Sequence, residues 1–239
     1  MPSSEAKTLR LSRRGVIGSV LVVLIALTCV RLGFWQLHRL DYKRHRNAVA
    51  HARMRLAPVQ LSALRLDSAG LIYRRASVSG SYDDERVIIV AGRSLDGAPG
   101  VHVLTPLRVG NAGVLVNRGW MPSADAATID ARAVREPAPR HLSGLILDLP
   151  FNPRSAESDS AGAFRHTWYR VDVRALQKQF PYPLANYVVQ LLPAPDAPRL
   201  PRRLPLPALD EGPHLGYAVQ WFSFALIGIV GWLILLRRK

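Results

Sequence analysis

The chain has 239 residues, of which 49% are hydrophobic, and its 32 Lys and Arg against 17 Asp and Glu give a formal net charge of +15. This length suits one domain with anchors and argues against two independent domains. Such a positive charge fits nucleic acid, an anionic lipid surface or acidic partners. No basic stripe interleaved with aromatic residues occurs, so nucleic-acid binding is not expected. The single cysteine, Cys29, excludes an intramolecular disulfide and a cysteine-based zinc site.

The first apolar segment predicts a transmembrane helix over residues 15–37, preceded by a short N-terminal segment, residues 1–14. Gly15 to Val30 is apolar without a break. About 20 apolar residues are needed to span the hydrocarbon core, so the helix requires Leu32 to Trp35 to reach the far interface. A cleaved signal peptide is the alternative, because basic residues precede the run. No small-x-small cleavage site follows it, which favours an uncleaved anchor.

The second apolar segment predicts a transmembrane helix over residues 213–236, with a tail at 237–239. Leu215 to Leu236 contains no charged residue, and Arg237, Arg238 and Lys239 follow as a basic stop. Pro213 suits the first turn of a helix, where its missing N–H costs nothing. Two spans put both termini on the same side of the membrane. The basic residues that flank each span are nearly balanced, so charge does not decide which side.

Between the anchors, residues 38–192 predict one extramembrane domain, mainly antiparallel β with some α, built as an open barrel or a sandwich. Residues 38–56 predict a helical continuation of the first anchor, whose basic side chains would meet lipid phosphates. Alternating or apolar runs predict strands near residues 76–82, 87–91, 101–109, 114–117, 142–147, 167–171 and 187–192. Loops are expected at 92–100, 125–139 and 152–163, and a short helix at 173–180. Residues 193–212 are rich in proline and predict an extended tether.

The sequence contains no Walker loop, no GxGxxG after a strand, no HExxH and no GxSxG. Its histidines show no metal-binding pair at helical spacing. We therefore expect no catalytic residues and no metal site, and we do not expect an enzyme.

One group of residues at the start of the second span has chemical interest. His214, Tyr217 and Trp221 share a helix face at about 100° per residue. A histidine in the first turn lies at the positive end of the helix dipole, which favours the neutral imidazole that can bind a haem iron. The alternative is an ordinary interfacial belt, with His and Tyr at the headgroups and Trp slightly deeper. These residues alone favour the belt.

Four motifs in order change this balance, and together they cover nearly the whole chain. They are Gly33-Phe34-Trp35-Gln36 with Arg39 and Lys43, Pro99-Gly100 running into Val103 to Leu107, Val114 to Trp120 with Pro122, and His214 to Phe222 (HLGYAVQWF). This set resembles the signatures of the Surfeit locus family of cytochrome c oxidase assembly proteins.

The resemblance implies a multi-pass protein of a bacterial inner membrane, with both termini cytoplasmic and the central domain periplasmic. It implies a chaperone of respiratory-chain biogenesis that handles haem a on its way into subunit I of the haem-copper oxidase. The expected partners are subunit I, a haem a synthase and membrane lipid. A haem-free scaffold and a membrane-tethered periplasmic enzyme of unknown type are the alternative functions.

The resemblance also implies site residues. His214 matches the histidine implicated in haem binding in bacterial members, and Tyr217 and Trp221 complete the expected haem a site. Other signature positions are Trp35, Gln36, Arg39, Arg118, Gly119 and Gln220. For two of them structural explanations stay open: Gly119 as a turn or bulge in the sheet, and Arg118 as part of a surface ion pair.

Overall fold

The computed structural model describes residues 13–62, 66–130, 134, 141–149 and 164–238. The chain forms two compact units. The first, called here the membrane unit, comprises Met1–Ala48 and Leu209–Lys239. The second, called the β unit, comprises Val49–Ala208. The predicted N-terminal segment therefore lies largely outside the described residues, and so does the whole predicted loop 152–163.

Two long helices confirm the predicted anchor near each end of the chain. Helix α1 spans Arg13–Arg55 and helix α3 spans His214–Arg237. Within the described residues, these two helices are long and apolar enough to cross a membrane. Their apolar side chains are largely uncovered, as Leu27 and Ile227 illustrate with exposures of 60% and 67%. Side chains of this kind belong in lipid rather than water, so the chain is a membrane protein.

Helix α1 is longer than a membrane span. Its 43 residues extend for about 65 Å, roughly twice the thickness of the hydrocarbon core. The helical continuation predicted over 38–56 is confirmed as far as Arg55. It remains helical because residues 38–55 include neither glycine nor proline.

The two helices pack against each other within the membrane unit through small residues and aromatic rings. Ala26 and Cys29 of α1 form a buried cluster with Ala225 of α3. At Gly33, an added Cβ would lie 2.6 Å from the ring of Phe222, so a side chain here would displace that ring. Small residues at such contacts bring helix backbones close enough for dispersion to hold them in lipid.

In its described residues, the β unit is built on a sheet of nine strands. They are β1 Val59–Gln60, β2 Arg75–Val78, β3 Ser81–Tyr82, β4 Ile88–Leu95, β5 Ala98–Val109, β6 Ala112–Pro122, β7 Leu142–Asp148, β8 Thr167–Trp168 and β9 Leu184–Leu191. The order is β1-β2-β7-β9-β6-β5-β4-β8, with β3 beside β5. A 3₁₀ turn, Asp84–Arg86, and the short helix α2, Val173–Gln177, complete the described elements.

Most neighbouring strands are antiparallel, as predicted, but three described pairs are parallel: β1 with β2, β4 with β8, and β6 with β9. Hydrophobic periodicity identifies a strand without giving its direction. A parallel neighbour needs a long crossover, and the connection between β6 and β9 is long enough to supply one. The sheet is therefore mixed, with its core on the β2, β6, β7 and β9 strands and a second cluster under α2.

The loop predicted at 92–100 is shorter in the structure, because β4 and β5 extend into it. Only Asp96 and Gly97 form the turn, with φ of 52° and 82°. A two-residue hairpin turn of this kind matches the twist of the strands and needs positive φ at both positions. Of the loop predicted at 125–139, the structure describes residues 125–130 and 134.

The proline-rich segment is not a free tether: it makes a hydrogen-bonded turn between Ala194 and Ala197 and then runs beside β6 within the β unit. The backbone of Arg202 exchanges two hydrogen bonds with that of Trp120, at 2.8 and 2.7 Å. The Gln190 side chain donates to the carbonyl of Pro205 over 2.9 Å. These bonds hold the segment against β6 and β9.

Candidate functional site

The predicted ligand His214 is held by a glutamine from the other membrane helix. The Nδ1 atom of His214 lies 2.8 Å from Oε1 of Gln36, although the two residues are 178 positions apart. A carboxamide oxygen only accepts hydrogen bonds, so Nδ1 must carry the proton. The Nε2 atom of the neutral ring then has the lone pair. Gln36 thus selects the tautomer in which Nε2 is ready to bind an electrophile or a metal.

The turn before α3 leaves room beside this lone pair. Gly212 has a φ of +76°, and its N–H donates to the Asp210 carboxylate over 2.8 Å. A Cβ added at Gly212 would lie 3.3 Å from Nε2 of His214. Any side chain here would therefore be strained by its backbone and would crowd the nitrogen that can bind a ligand.

Two polar contacts tie α1 to the residues that lead into His214. Asn47 Nδ2 donates to the carbonyl of Leu209 over 3.0 Å, and Arg44 Nε pairs with Glu211 at 3.0 Å. The ion pair is half exposed, so it contributes at most about 1 kcal/mol. Its value is geometric, because it holds the turn close to the helix that carries Gln36. Arg44, predicted to meet lipid phosphates, has a protein partner.

The structure brings together only part of the predicted haem site. The face of α3 that packs on α1 carries His214, Ala218, Trp221 and Ala225, of which the two alanines are buried. Trp221 packs against the Ala26–Cys29–Ala225 cluster and meets Phe224 edge to face at 5.9 Å. Tyr217 lies at the flank of this face and is 48% exposed. Tyr217 therefore remains available to a ligand, while much of Trp221 is used in helix packing.

The signature positions on α1 and α3 are mostly open. Trp35 is 57% exposed, and Arg39 and Gln220 are also exposed. A shallow depression of about 570 Å³ on α1 is lined by Trp35 together with Arg31, Leu32, Phe34 and His38. The two turns of α1 that carry Gln36 thus present aromatic and cationic side chains.

Arg118 and Gly119 belong to the β unit, where they form a bulge in β6. Val103 pairs with Gly119 and Leu104 with Asn117, so Arg118 is the extra residue. Arg118 is 0% exposed and its guanidinium lies 5.1 Å from the centre of the Tyr82 ring. The surface ion pair considered for Arg118 is therefore wrong. The bulge considered for Gly119 is confirmed, and its φ of +127° needs a residue without Cβ.

A model of the SURF1 family matches residues 23–226 of this chain. The matched residues include Gln36, His214 and the whole β unit. The chain belongs to the SURF1 family.

Individual SURF1 relatives are similar over most of the chain. A SURF1-like protein of Monosiga brevicollis is 27% identical over an alignment of 251 positions, which covers 95% of this chain and 90% of the relative. A SURF1-like protein of Rickettsia felis is 26% identical over 226 residues, 91% of this chain and 96% of its own. Surfeit locus protein 1 of Mus musculus is 27% identical over 177 residues, 66% of this chain and 56% of its own.

In this SURF1-family chain, sequence reasoning missed the residues that surround His214. Gly212 follows Asp210 and Glu211, a turn sequence directly before Pro213. That pattern could have predicted a tight turn with positive φ. Nothing local could have assigned Arg44 and Asn47 to it, because both contacts cross more than 160 positions.

Proposed function

We propose that this chain is a membrane-anchored, non-enzymatic assembly factor for the haem-copper cytochrome c oxidase, which holds haem a and passes it to subunit I. The observation that carries the proposal is the hydrogen bond between Gln36 and His214. His214 fits a haem cargo, because haem iron is ligated by neutral imidazole. In that form one ring nitrogen donates a hydrogen bond and the other carries the lone pair.

The hydrogen bond to Gln36 would support His214 as a ligand. A hydrogen bond from Nδ1 fixes the orientation of the ring and raises the basicity of Nε2. Trp35 and Tyr217 are exposed apolar rings on the same two helices and would cover part of a porphyrin. Arg31 and Arg39 would meet its propionates, since guanidinium groups pair with carboxylates. Haem a supplies the electrophilic iron and the large apolar surface, and the protein supplies position.

A single-histidine site suits transfer better than storage. If His214 alone held the haem, a receiving protein could offer its own ligand before the haem leaves His214, so the haem would not be released into water. We infer that subunit I is this receiver and that a haem a synthase is the donor. We also propose a bacterial inner membrane, with the termini cytoplasmic and the β unit periplasmic.

The decisive experiment measures the haem bound to the full chain after purification from cells that make haem a. Haem content per chain is measured by the pyridine haemochrome method, and the Soret band reports ligation. His214→Ala should lose most of the haem. His214→Gly should recover the spectrum when imidazole is added, because imidazole can replace the missing side chain. His45→Ala is the matched control, since His45 is an exposed histidine on the same helix as Gln36.

Gln36 variants separate ligation from simple folding. Gln36→Leu removes the acceptor, and we expect weaker haem retention and a shifted Soret band. Gln36→Glu keeps an acceptor for the Nδ1 proton and should retain haem. Equal haem content in wild type and His214→Ala would disprove the ligand assignment. If His214→Ala still captures subunit I while lacking haem, the protein acts as a haem-free scaffold instead.

Orientation is tested with reporters fused after Lys239. A C-terminal fluorescent protein that matures only in the cytoplasm should be bright, and an alkaline phosphatase fusion should be inactive. An active phosphatase would overturn the proposed topology. A strain from which the gene is deleted shows whether the oxidase assembles without this protein.

A further inference from the structure

The β unit contains a cavity of about 390 Å³ on the sheet face beside the α2 cluster. Its apolar floor comes from Val90 of β4, Leu104 of β5 and Val188 of β9. Small-molecule pockets in proteins typically measure about 300–1,000 Å³. The cavity is thus large enough for a small organic molecule, and nothing in the function proposed above uses it.

A β-bulge brings an arginine into this cavity. Val90 pairs with His102, but Arg93 pairs with Gly100, so β4 has one extra residue between those two positions. In a regular strand, Arg93 would point away from the face that carries Val90. The bulge contains Gly92 with a φ of +68°. It turns the strand so that Val90 and Arg93 both line the cavity.

The polar groups around the cavity are mainly hydrogen-bond donors. Nε of Arg93 is buried and has no hydrogen-bond partner among the residues that the structure describes. Arg170 lines the same cavity and is exposed. The carboxamide oxygen of Asn117 accepts from the N–H of Gly119 over 3.0 Å, which leaves its amino group as a donor.

His102 lines the same cavity as the two arginines. Its burial, and then the charge of Arg93, lower the pKa of His102 to about 4. The ring is therefore neutral at pH 7 and carries one N–H donor. With Asp148 also in the lining, the two arginines leave a net charge of about +1 in the cavity. A single negative charge would balance it.

We propose that this cavity binds a small organic monoanion, held by its carboxylate at Arg93 and Arg170, with its apolar body on Val90, Leu104 and Val188. A planar carboxylate matches the fork of donors on a guanidinium, and bonds of this kind are about twice as strong as neutral ones. The apolar floor favours an aromatic or short aliphatic body over a sugar. Asp148 disfavours a dianion such as a phosphate.

The test is binding of 4-fluorobenzoate to the full chain in neutral phosphatidylcholine nanodiscs, followed by ¹⁹F NMR, with empty nanodiscs as the blank. We expect saturable binding of the acid and at least about tenfold weaker binding of 4-fluorobenzamide, which has the same shape without the charge. The dianion 4-fluorophenylphosphonate at pH 8 should also bind more weakly than the acid.

Three variants locate the site. Arg93→Gln should weaken 4-fluorobenzoate binding by about tenfold or more, because a charge-assisted bond is lost. Arg170→Gln should weaken it several-fold and is exposed, so it tests the site even if Arg93→Gln folds poorly. Arg75→Gln, an exposed arginine of β2 outside the cavity, should bind like wild type.

The proposal is overturned if the acid shows no saturation above the blank, or if the amide binds as tightly as the acid. Tighter binding of the phosphonate would overturn the assignment of a monoanion. Equal loss in Arg75→Gln and Arg93→Gln would mean that general surface charge, not the cavity, attracts the probe.

Discussion

The bulge at Gly119 offers the sharpest test of the fold, and Gly119→Ala is the perturbation. Gly119 has a φ of +127°, which L side chains rarely adopt. A Cβ at this position would lie 2.2 Å from the carbonyl oxygen of Arg202 and 2.7 Å from its carbonyl carbon. Both neighbours are backbone atoms, so a side-chain rotation cannot relieve the overlap.

Two costs determine the magnitude. A side chain in a sparsely populated backbone region costs about 1–3 kcal/mol. Relieving the overlap requires the proline-rich segment to move away, which breaks the two hydrogen bonds between Trp120 and Arg202, each worth about 1 kcal/mol net. We therefore expect a loss of about 4 kcal/mol in the free energy of unfolding of the β unit. For a unit of this size, that lowers the melting temperature by about 8–16 °C.

The assay is thermal unfolding of the purified chain, followed by tryptophan fluorescence, with hydrogen exchange of the segment around Arg202 as a second measurement. Gly97→Ala is the matched control. Gly97 also has a positive φ, of 82°, but a Cβ there would meet nothing within 4 Å. It should cost only about 1 kcal/mol, the penalty for the backbone conformation. Exchange around Arg202 should accelerate only in Gly119→Ala.

Equal melting temperatures for Gly119→Ala and Gly97→Ala would refute this reasoning. The contact between β6 and the proline-rich segment would then contribute nothing to stability. A lower melting temperature without faster exchange around Arg202 would also count against it, because the cost would then arise elsewhere in the sheet.

Three further predictions concern other parts of the chain. Gly33→Ala should lower the melting temperature of the solubilised protein, since its Cβ would meet the ring of Phe222 at 2.6 Å, whereas Gly216→Ala, with open space, should not. Asp172→Ala should cost about 1 kcal/mol in unfolding free energy, because the Asp172 carboxylate caps α2 by accepting from two backbone N–H groups. Burial, and then the charge of Arg93, lower the pKa of His102 from 6.5 to about 4. On acidification, His102 therefore takes up its proton at a higher pH in the unfolded chain than in the folded chain. The stability contributed by neutral His102 is therefore present above about pH 6.5 and lost toward pH 4, and wild type should lose more melting temperature than His102→Gln over that range.

The local features of this chain followed from its sequence because their causes are local. A run of 22 residues without a charge is enough to define a membrane span, whatever the rest of the chain does. The segment Gly110 to Gly113 between two predicted strands is a hairpin signal for the same reason, because turn chemistry acts over a few residues, and β5 and β6 do pair across it. The short helix after Asp172 also follows from neighbouring residues, because its cap lies next to it.

Other features depend on which distant segments meet, and periodicity does not contain that information. The sequence placed Arg118 directly after a predicted strand, but it did not reveal that Arg118 would be the extra residue of a bulge and fully buried. It identified β6 and β9 as strands but not as parallel neighbours, since strand direction follows from the path of the chain between them. The cavity at Arg93 required the register of β4 on β5, which a single extra residue changes.

The candidate site shows the same division. The sequence by itself determined that two membrane helices exist, and that His214 opens one while Gln36 lies near the end of the span predicted in the other. Only the tertiary structure decided that Gln36 accepts a hydrogen bond from His214, because the contact depends on how α1 packs on α3 at glycine and alanine positions. When the ring is neutral, that packing places the proton on Nδ1 and the lone pair on Nε2, and so gives the histidine its chemistry.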